Sequence, residues 1–195
     1  SIRSDWSPKT SPMKTASSGP ILIETATDSD ALEVVEMYRR VLAEGRWFMT
    51  YEDEFTGTET WQAKVIREWN SEPNSRFLVA RLKRTIVGAM SITGGNKDRT
   101  KHVGLIEVFV DQSFRGLGVG RSLMEAGIFW AEQNPILHKL ALHVFEDNER
   151  AVEMYRRLGF GVEGRLVDEF QDRDGILRHD LVMARPCSSQ RPITD

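Results

Sequence analysis

Between Ser113 and Glu125 the chain reads SFRGLGVGRSLME. Glycine stands at alternate positions, Gly116, Gly118 and Gly120, directly after the apolar run HVGLIEVFV (His102 to Val110). The amphipathic run GRSLMEAGIFWAEQN follows at once and is ended by Pro135. A strand, a glycine turn and a helix in that order predict an α/β fold in which the turn feeds a helix N-terminus. Such an entrance offers unpaired backbone N–H groups, the positive end of a helix dipole and no Cβ atoms to hold a ligand away. Arg115, and Arg121 in the first helical turn, add charges suited to phosphate oxygens. The turn reads as an anion seat for a diphosphate.

Two better-known glycine loops compete for the same residues. A triphosphate loop needs Gly-Lys at the helix entrance, and no such pair stands there. A dinucleotide fingerprint fits better. LIEVFV, the turn, the helix and LALHVFE make a βαβ-like unit, with Glu146 placed as a ribose-binding acid. Against it, a G-x-G-x-x-G begun at Gly116 puts Arg121 where a third small residue must let helix and strand pack.

Outward from the turn, the elements read clearly. ILIETA (Ile21 to Ala26) is a strand, and the helix after it has Asp28 or Ser29 as cap and Gly45 as stop. A second helix runs from about Thr58 to Trp69, with Trp61, Val65 and Trp69 on one face. RFLVARLKRTIVGAMSIT is a strand pair turning near Lys83 to Thr85. Beyond the glycine-turn helix, ILHKLALHVFE is a strand and NERAVEMYRRLG a helix capped by Asn148 and closed by Gly159. FGVEGRLVDEFQ and ILRHDLVMAR form a hairpin around DRDG. The expected order is β α α β β β α β α β β, a mixed sheet of about seven strands with four helices.

Composition narrows the function. Among 195 residues, a net charge of −3 without a lysine and arginine block argues against nucleic acid as a partner. The apolar runs are far shorter than the roughly 20 residues of a membrane span. The single cysteine, Cys187, falls in a polar stretch, and the four histidines lack metal-ligand spacing, so no metal site is expected. A reducing, cytoplasmic setting follows. Residues 1–19, rich in Ser, Pro, Thr and Lys, read as a disordered arm, residues 20–186 as one domain, and 187–195 as a polar tail.

Arg115-x-x-Gly118-x-Gly120 after a strand resembles the acetyl-coenzyme A motif of the GCN5-related N-acetyltransferase (GNAT) family. DNERAVEMYRRLGF (Asp147 to Phe160) is similar to that family's second motif, an Asn before a helix that carries a Tyr and ends in Leu-Gly-Phe. The resemblance covers Ile21 to Arg185 in element order. It implies a GNAT-like acyl-CoA acyltransferase fold and acetyl-CoA as acetyl donor. The pyrophosphate would lie on Arg115, Gly116, Gly118, Val119, Gly120 and Arg121, with Asn148 nearby. The acetyl-pantetheine arm would border Val108, Phe109 and Val110. A primary amine of an amino acid, polyamine or protein N-terminus is the implied acceptor, and a homodimer is one implied assembly. Two rival functions stand beside this one: a CoA-binding regulatory module without catalysis, and a nicotinamide dinucleotide enzyme.

Acetyl transfer needs a neutral amine, a polarised thioester and a proton for the departing thiolate. Tyr155, on the apolar face of its helix, is either a core tyrosine or, as the resemblance implies, the general acid. Glu107 interrupts VGLIEVFV with a carboxylate. It is either the base, its pKa raised by burial, or half of an ion pair. His143 is an alternative base or a histidine with a structural partner. Cys187 is poorly placed for an acyl-enzyme, which favours direct attack in a ternary complex. Trp47, Phe48, Tyr51 and Glu52, in WFMTYEDEF, suit a cationic amine through ring faces and charge.

Overall fold

A computed structural model describes residues 19–187. Strand β1 (Ile21–Thr25) is followed by α1 (Ala31–Leu42) and α2 (Glu59–Ser71). Then come β2 (Arg76–Leu82), β3 (Thr85–Gly94), β4 (Val103–Val110), α3 (Val119–Glu132), β5 (Lys139–Phe145), α4 (Glu149–Arg157), β6 (Gly161–Gln171) and β7 (Leu177–Pro186). The expected order, with seven strands and four helices, is the one found. The strands form one sheet in the order β1-β2-β3-β4-β5-β7-β6. Among the described strands only β4 and β5 run parallel.

Strand alternation gives the sheet two apolar faces. Leu78, Met90, Ile106, Leu142 and Met183 point to one side and pack under α3 and α4, through Leu123, Met124, Val152 and Tyr155. Phe77, Val79, Ile86 and Ala89 point to the other and pack under α1 and α2, through Val34, Met37, Val41 and Ile66. Helix α3 lies close on β3 because two glycines clear the way. A Cβ at Gly127 would stand 2.4 Å from Met90 Cε, and one at Gly88 2.9 Å from Val119 Cγ1.

Local chemistry departs from expectation in four places. Helix α1 opens through Thr27 and Asp30, not Asp28 or Ser29. The Thr27 N–H donates to Asp30 Oδ2 at 2.7 Å, and Asp28 turns outward to Arg67. Helix α2 is rotated from the expected face, since Trp61 is 48% exposed against the edge of Phe55 while Gln62 and Ile66 face the core. Cys187 opens a polar stretch of sequence but packs into the core. It is buried, its N–H donates to His138 O at 3.0 Å, and burial raises its thiol to about 11. Glu146 is not a free acid at a strand end, because both its oxygens accept from Arg165, at 2.6 and 2.8 Å. With one parallel pair in the sheet, the doubly wound frame of a nicotinamide dinucleotide enzyme is missing.

The residues read as a disordered arm lie outside the described ones, apart from Gly19, and so does the tail beyond Cys187. Among the described residues no helix is long and apolar enough to cross a membrane.

Candidate acetyl-donor and acceptor site

The site begins where two strands part. β4 and β5 pair from Val103↔Lys139 to Ile106↔Leu142 and no further. Glu107 to Val110 keep β3 as a neighbour, and His143 to Phe145 keep β7, so a wedge opens between them. The wedge leads into a cleft of about 660 Å³.

The glycine turn closes one end. Gly116 and Gly118 have φ of 81° and 88°, a left-handed backbone that residues with a Cβ enter only at a cost. Gly118 is the N-cap of α3, so the first amides of that helix open into the cleft beside bare Cα atoms. At Gly120 φ is ordinary, but a Cβ would lie 3.4 Å from Val110 Cγ2, on the cleft wall. Asp111 anchors the turn from behind, its Oδ1 accepting from the Ser113 N–H at 3.0 Å and its Oδ2 from Arg40 Nε at 2.8 Å.

Arg115 is committed within the protein. Its Nη1 and Nη2 lie 2.5 and 2.7 Å from the two oxygens of Glu44, and its Nε donates to Val110 O at 3.2 Å. This arginine, expected to meet phosphate, borders the cleft but holds the turn's shape. Further positive charge borders the cleft from both helices. Arg150 and Arg157 of α4 line it with Arg121 of α3. Arg157 and Arg121 each share an exposed ion pair one turn away, with Glu153 and Glu125, while the Arg150 guanidinium reaches within 3.4 Å of the Cβ position at Gly116. Sequence reasoning missed both α4 arginines. Their seven-residue spacing across RAVEMYRR, beside Ala151, Met154 and Leu158, is the signal that they share a face.

Asn148 caps α4 by accepting from the Ala151 N–H at 3.3 Å. Two turns on from that cap, Tyr155 is buried with its ring edge-on to Phe160 at 6.1 Å, and burial holds its phenol far above the ordinary tyrosine range. The hydroxyl has no hydrogen-bond partner among the described residues, yet it is not among the sealed, unpaired polar atoms. It therefore opens on the cleft that Tyr155 lines. Such a phenol stays neutral and keeps a proton it can donate.

Strand alternation divides the remaining candidates. Val108 and Val110 line the cleft on the α3 and α4 side. Phe109 points the other way, stacked on Phe48 at 4.5 Å and tilted against Tyr38 at 4.3 Å. Glu107 shares that second face. Its carboxylate reaches solvent, but the protein around it displaces enough water to raise its pKa. No ion pair occupies it among the described residues. Trp47 and Phe48 reach the cleft from the α1–α2 connection. Tyr51 and Glu52 do not: Tyr51 Oη accepts from the Arg173 N–H at 3.2 Å and its ring lies under that guanidinium, while Glu52 is exposed. Tyr51 and Asp53 thus strap the connection to the β6–β7 hairpin.

The parted parallel pair and the helix N-terminus at its mouth together make a cleft open to an anionic ligand. Residues 41–160 match the model of the acetyltransferase (GNAT) family, and the chain belongs to that family. Acetyl-CoA is the family's acetyl donor, and the bare glycine turn flanked by Arg121, Arg150 and Arg157 fits its diphosphate. The L-amino acid N-acetyltransferase AaaT of Escherichia coli is 29% identical over 104 residues, 53% of this chain and 62% of that protein. The chain thus spans under two thirds of AaaT. A spermidine N(1)-acetyltransferase of Vibrio cholerae is 28% identical over 64% of this chain and 69% of its own. A GNAT-family acetyltransferase of Streptococcus pneumoniae superposes with a TM-score of 0.81 at 27% identity, over 85% of this chain and 98% of that one.

Proposed function

We propose that this protein transfers the acetyl group of acetyl-CoA to a primary amine of a small molecule, an amino acid or polyamine, or of a protein N-terminus, by direct attack. One observation carries the reading: the free phenol of Tyr155 opens on a cleft that has a diphosphate seat at one end and the parted strands at its floor.

In this reading the α3 entrance and the cleft arginines bind the diphosphate. The backbone groups of β4 that face the wedge between Glu107 and Val110, opposite those bonded to β3, align the pantetheine arm and polarise the thioester. Tyr155 supplies the proton to the departing sulfur. Glu107, on the acceptor face, meets the ammonium and takes a proton from the attacking nitrogen. Its raised pKa brings a carboxylate nearer the range a base needs. Trp47 and Phe48 offer ring faces to the acceptor's cationic or apolar portion.

Two of these acceptor classes have counterparts in relatives whose own names specify L-amino acids and spermidine, and a further relative is named for peptidyl-lysine. The test is an acetylation screen with purified protein, acetyl-CoA, L-amino acids, polyamines and peptides. Turnover of at least one amine class is expected. A protein that binds acetyl-CoA and acetylates none would be a binding module instead.

A further inference from the structure

The wedge has two lips. Glu107 stands on β4, and His143 on β5 is the residue that would pair with it if the ladder ran one step past Ile106↔Leu142. Ile106 and Leu142 both point into the core under α3 and α4, so Glu107 and His143 both point to the acceptor face. Beside His143 in the sheet is β7, where Asp180 emerges on the same face. The Asp180 side chain is 2% exposed and that of His143 is 48% exposed, and His143 Nδ1 lies 2.5 Å from Asp180 Oδ2. Among the described residues this is the side-chain hydrogen bond of that buried carboxylate.

A buried carboxylate with one imidazole partner fixes the tautomer. Nδ1 carries the hydrogen and donates to Asp180, which leaves the Nε2 lone pair free on the solvent-open half of the ring. The other charges on this face are already engaged. The Arg178 guanidinium lies 2.5 Å from Asp147 Oδ1, 2.5 Å from Arg46 O and 4.0 Å from the Phe145 ring centroid. Asp172 is 3.8 Å from Arg178, and the Arg46 guanidinium covers Trp47. Lys139, two pleats from His143 on the same face, pairs with Glu163, and Glu146 and Arg165 pair with each other on the opposite face. Tyr38, beside Glu107, is buried and neutral. That leaves Glu107 as the ionisable group facing His143 across the wedge.

We propose that His143, oriented by Asp180, is a third catalytic residue: its Nε2 removes the proton that an ammonium acceptor must lose before it can attack. The proposal rests on the transferase reading above. An acceptor nitrogen sheds two protons on the way from ammonium to amide. The first passes to His143 Nε2 and releases the nitrogen lone pair, which forms the C–N bond as the C–S bond breaks onto sulfur. Sulfur takes its proton from Tyr155, which is reprotonated from solvent. The second nitrogen proton, far more acidic once the C–N bond forms, passes to Glu107 and on to solvent. Imidazole suits the first transfer because its charge changes near neutral pH, whereas a carboxylate is a weak base toward an ammonium. Asp180 is a positioning residue.

The experiment measures kcat and KM against pH for the full chain, His143→Gln and Asp180→Asn, with spermidine and L-amino acids as probes and acetyl-CoA affinity by calorimetry. We expect His143→Gln to lower kcat/KM roughly 100-fold at neutral pH and to flatten the acid limb of the rate profile, with acetyl-CoA affinity unchanged. Asp180→Asn should lose rate and shift that limb, because an amide holds the wrong tautomer. Should Asp180→Asn not fold, His143→Gln, at a half-exposed ring, decides alone. A His143→Gln enzyme that keeps the wild-type rate and limb overturns the dyad and leaves the transferase standing. Wild-type protein that acetylates none of these amines overturns both.

Discussion

Arg115 and Glu44 form a two-pronged ion pair across 71 residues of chain, with Nη–O distances of 2.5 and 2.7 Å. It ties the glycine turn to the end of α1, where the connection carrying Trp47 and Phe48 begins. Both side chains are largely shielded, at 25% and 13% exposure, so removing one partner strands the other. Glu44→Ala should cost about 2 kcal/mol, a fall of roughly 4–8 °C in Tm, seen by calorimetric melting. An unchanged Tm would mean that the pair is incidental.

The glycine turn depends on missing Cβ atoms. Gly118→Val should strain a residue held at φ 88°, and Gly120→Val should push side-chain atoms into the cleft past Val110. Each is expected to weaken acetyl-CoA binding by more than about tenfold in calorimetry, some 1.4 kcal/mol. Binding that survives both substitutions places the diphosphate elsewhere.

Arg150 and Arg157 should act through charge, since both border the cleft and neither forms part of the core. Alanine at either is expected to weaken acetyl-CoA several-fold at low salt, and the deficit should shrink as salt is raised. A deficit indifferent to salt would indicate a packing role.

Tyr155 supplies a pH argument. Burial raises its pKa above the unfolded value near 10, so the phenol remains protonated on the alkaline side of the ordinary tyrosine range. Tyr155→Phe should lower kcat roughly 100-fold while acetyl-CoA affinity is kept. For stability the sign is that of any raised pKa. The contribution is full below the unfolded pKa and is lost as pH rises above it, because the unfolded chain ionises first. Urea melts taken to either side of about pH 10 should show wild-type stability falling faster than that of Tyr155→Phe.

Gln62 is 1% exposed and neither polar atom of its side chain has a partner. Gln62→Met keeps the volume and removes the unpaired groups. A gain of about 1–2 kcal/mol in urea unfolding is expected. A loss instead would show that the amide is satisfied by buried water.

Much of the fold was legible because its signals are local. The glycine turn, the Asn148 cap and the DRDG hairpin each depend on neighbours within a few residues. So did Tyr155, since an apolar helical stripe shows which side faces inward. What stayed hidden depends on partners far away in sequence. Arg115 reads as free for phosphate until Glu44 is beside it. His143 and Asp180 meet because β7 inserts between β5 and β6, a strand order that periodicity does not encode. Helix α2 misled for another reason: tryptophans at helical spacing outweigh a glutamine on any hydrophobicity scale, yet Phe55 gives Trp61 a surface berth and Gln62 goes inside.

The parting of β4 from β5 also has a mechanical side. Four residue pairs, Val103↔Lys139 to Ile106↔Leu142, with the His138 N–H donating to His102 O at their start, form the backbone seam between a four-strand half and a three-strand half of the sheet. Two half-sheets joined along so short a seam form a hinge whose stiffness comes from α3 and from the core beneath it. Within the wedge each half carries an inner edge of amides with no strand opposite, the kind of edge that proteins normally cover. Between Glu107 and Val110, the alternate amides that face away from β3 should exchange fast in the free protein and slowly once acetyl-CoA is added, while those bonded to β3 stay protected, which makes the seam a strain gauge for what the cleft holds.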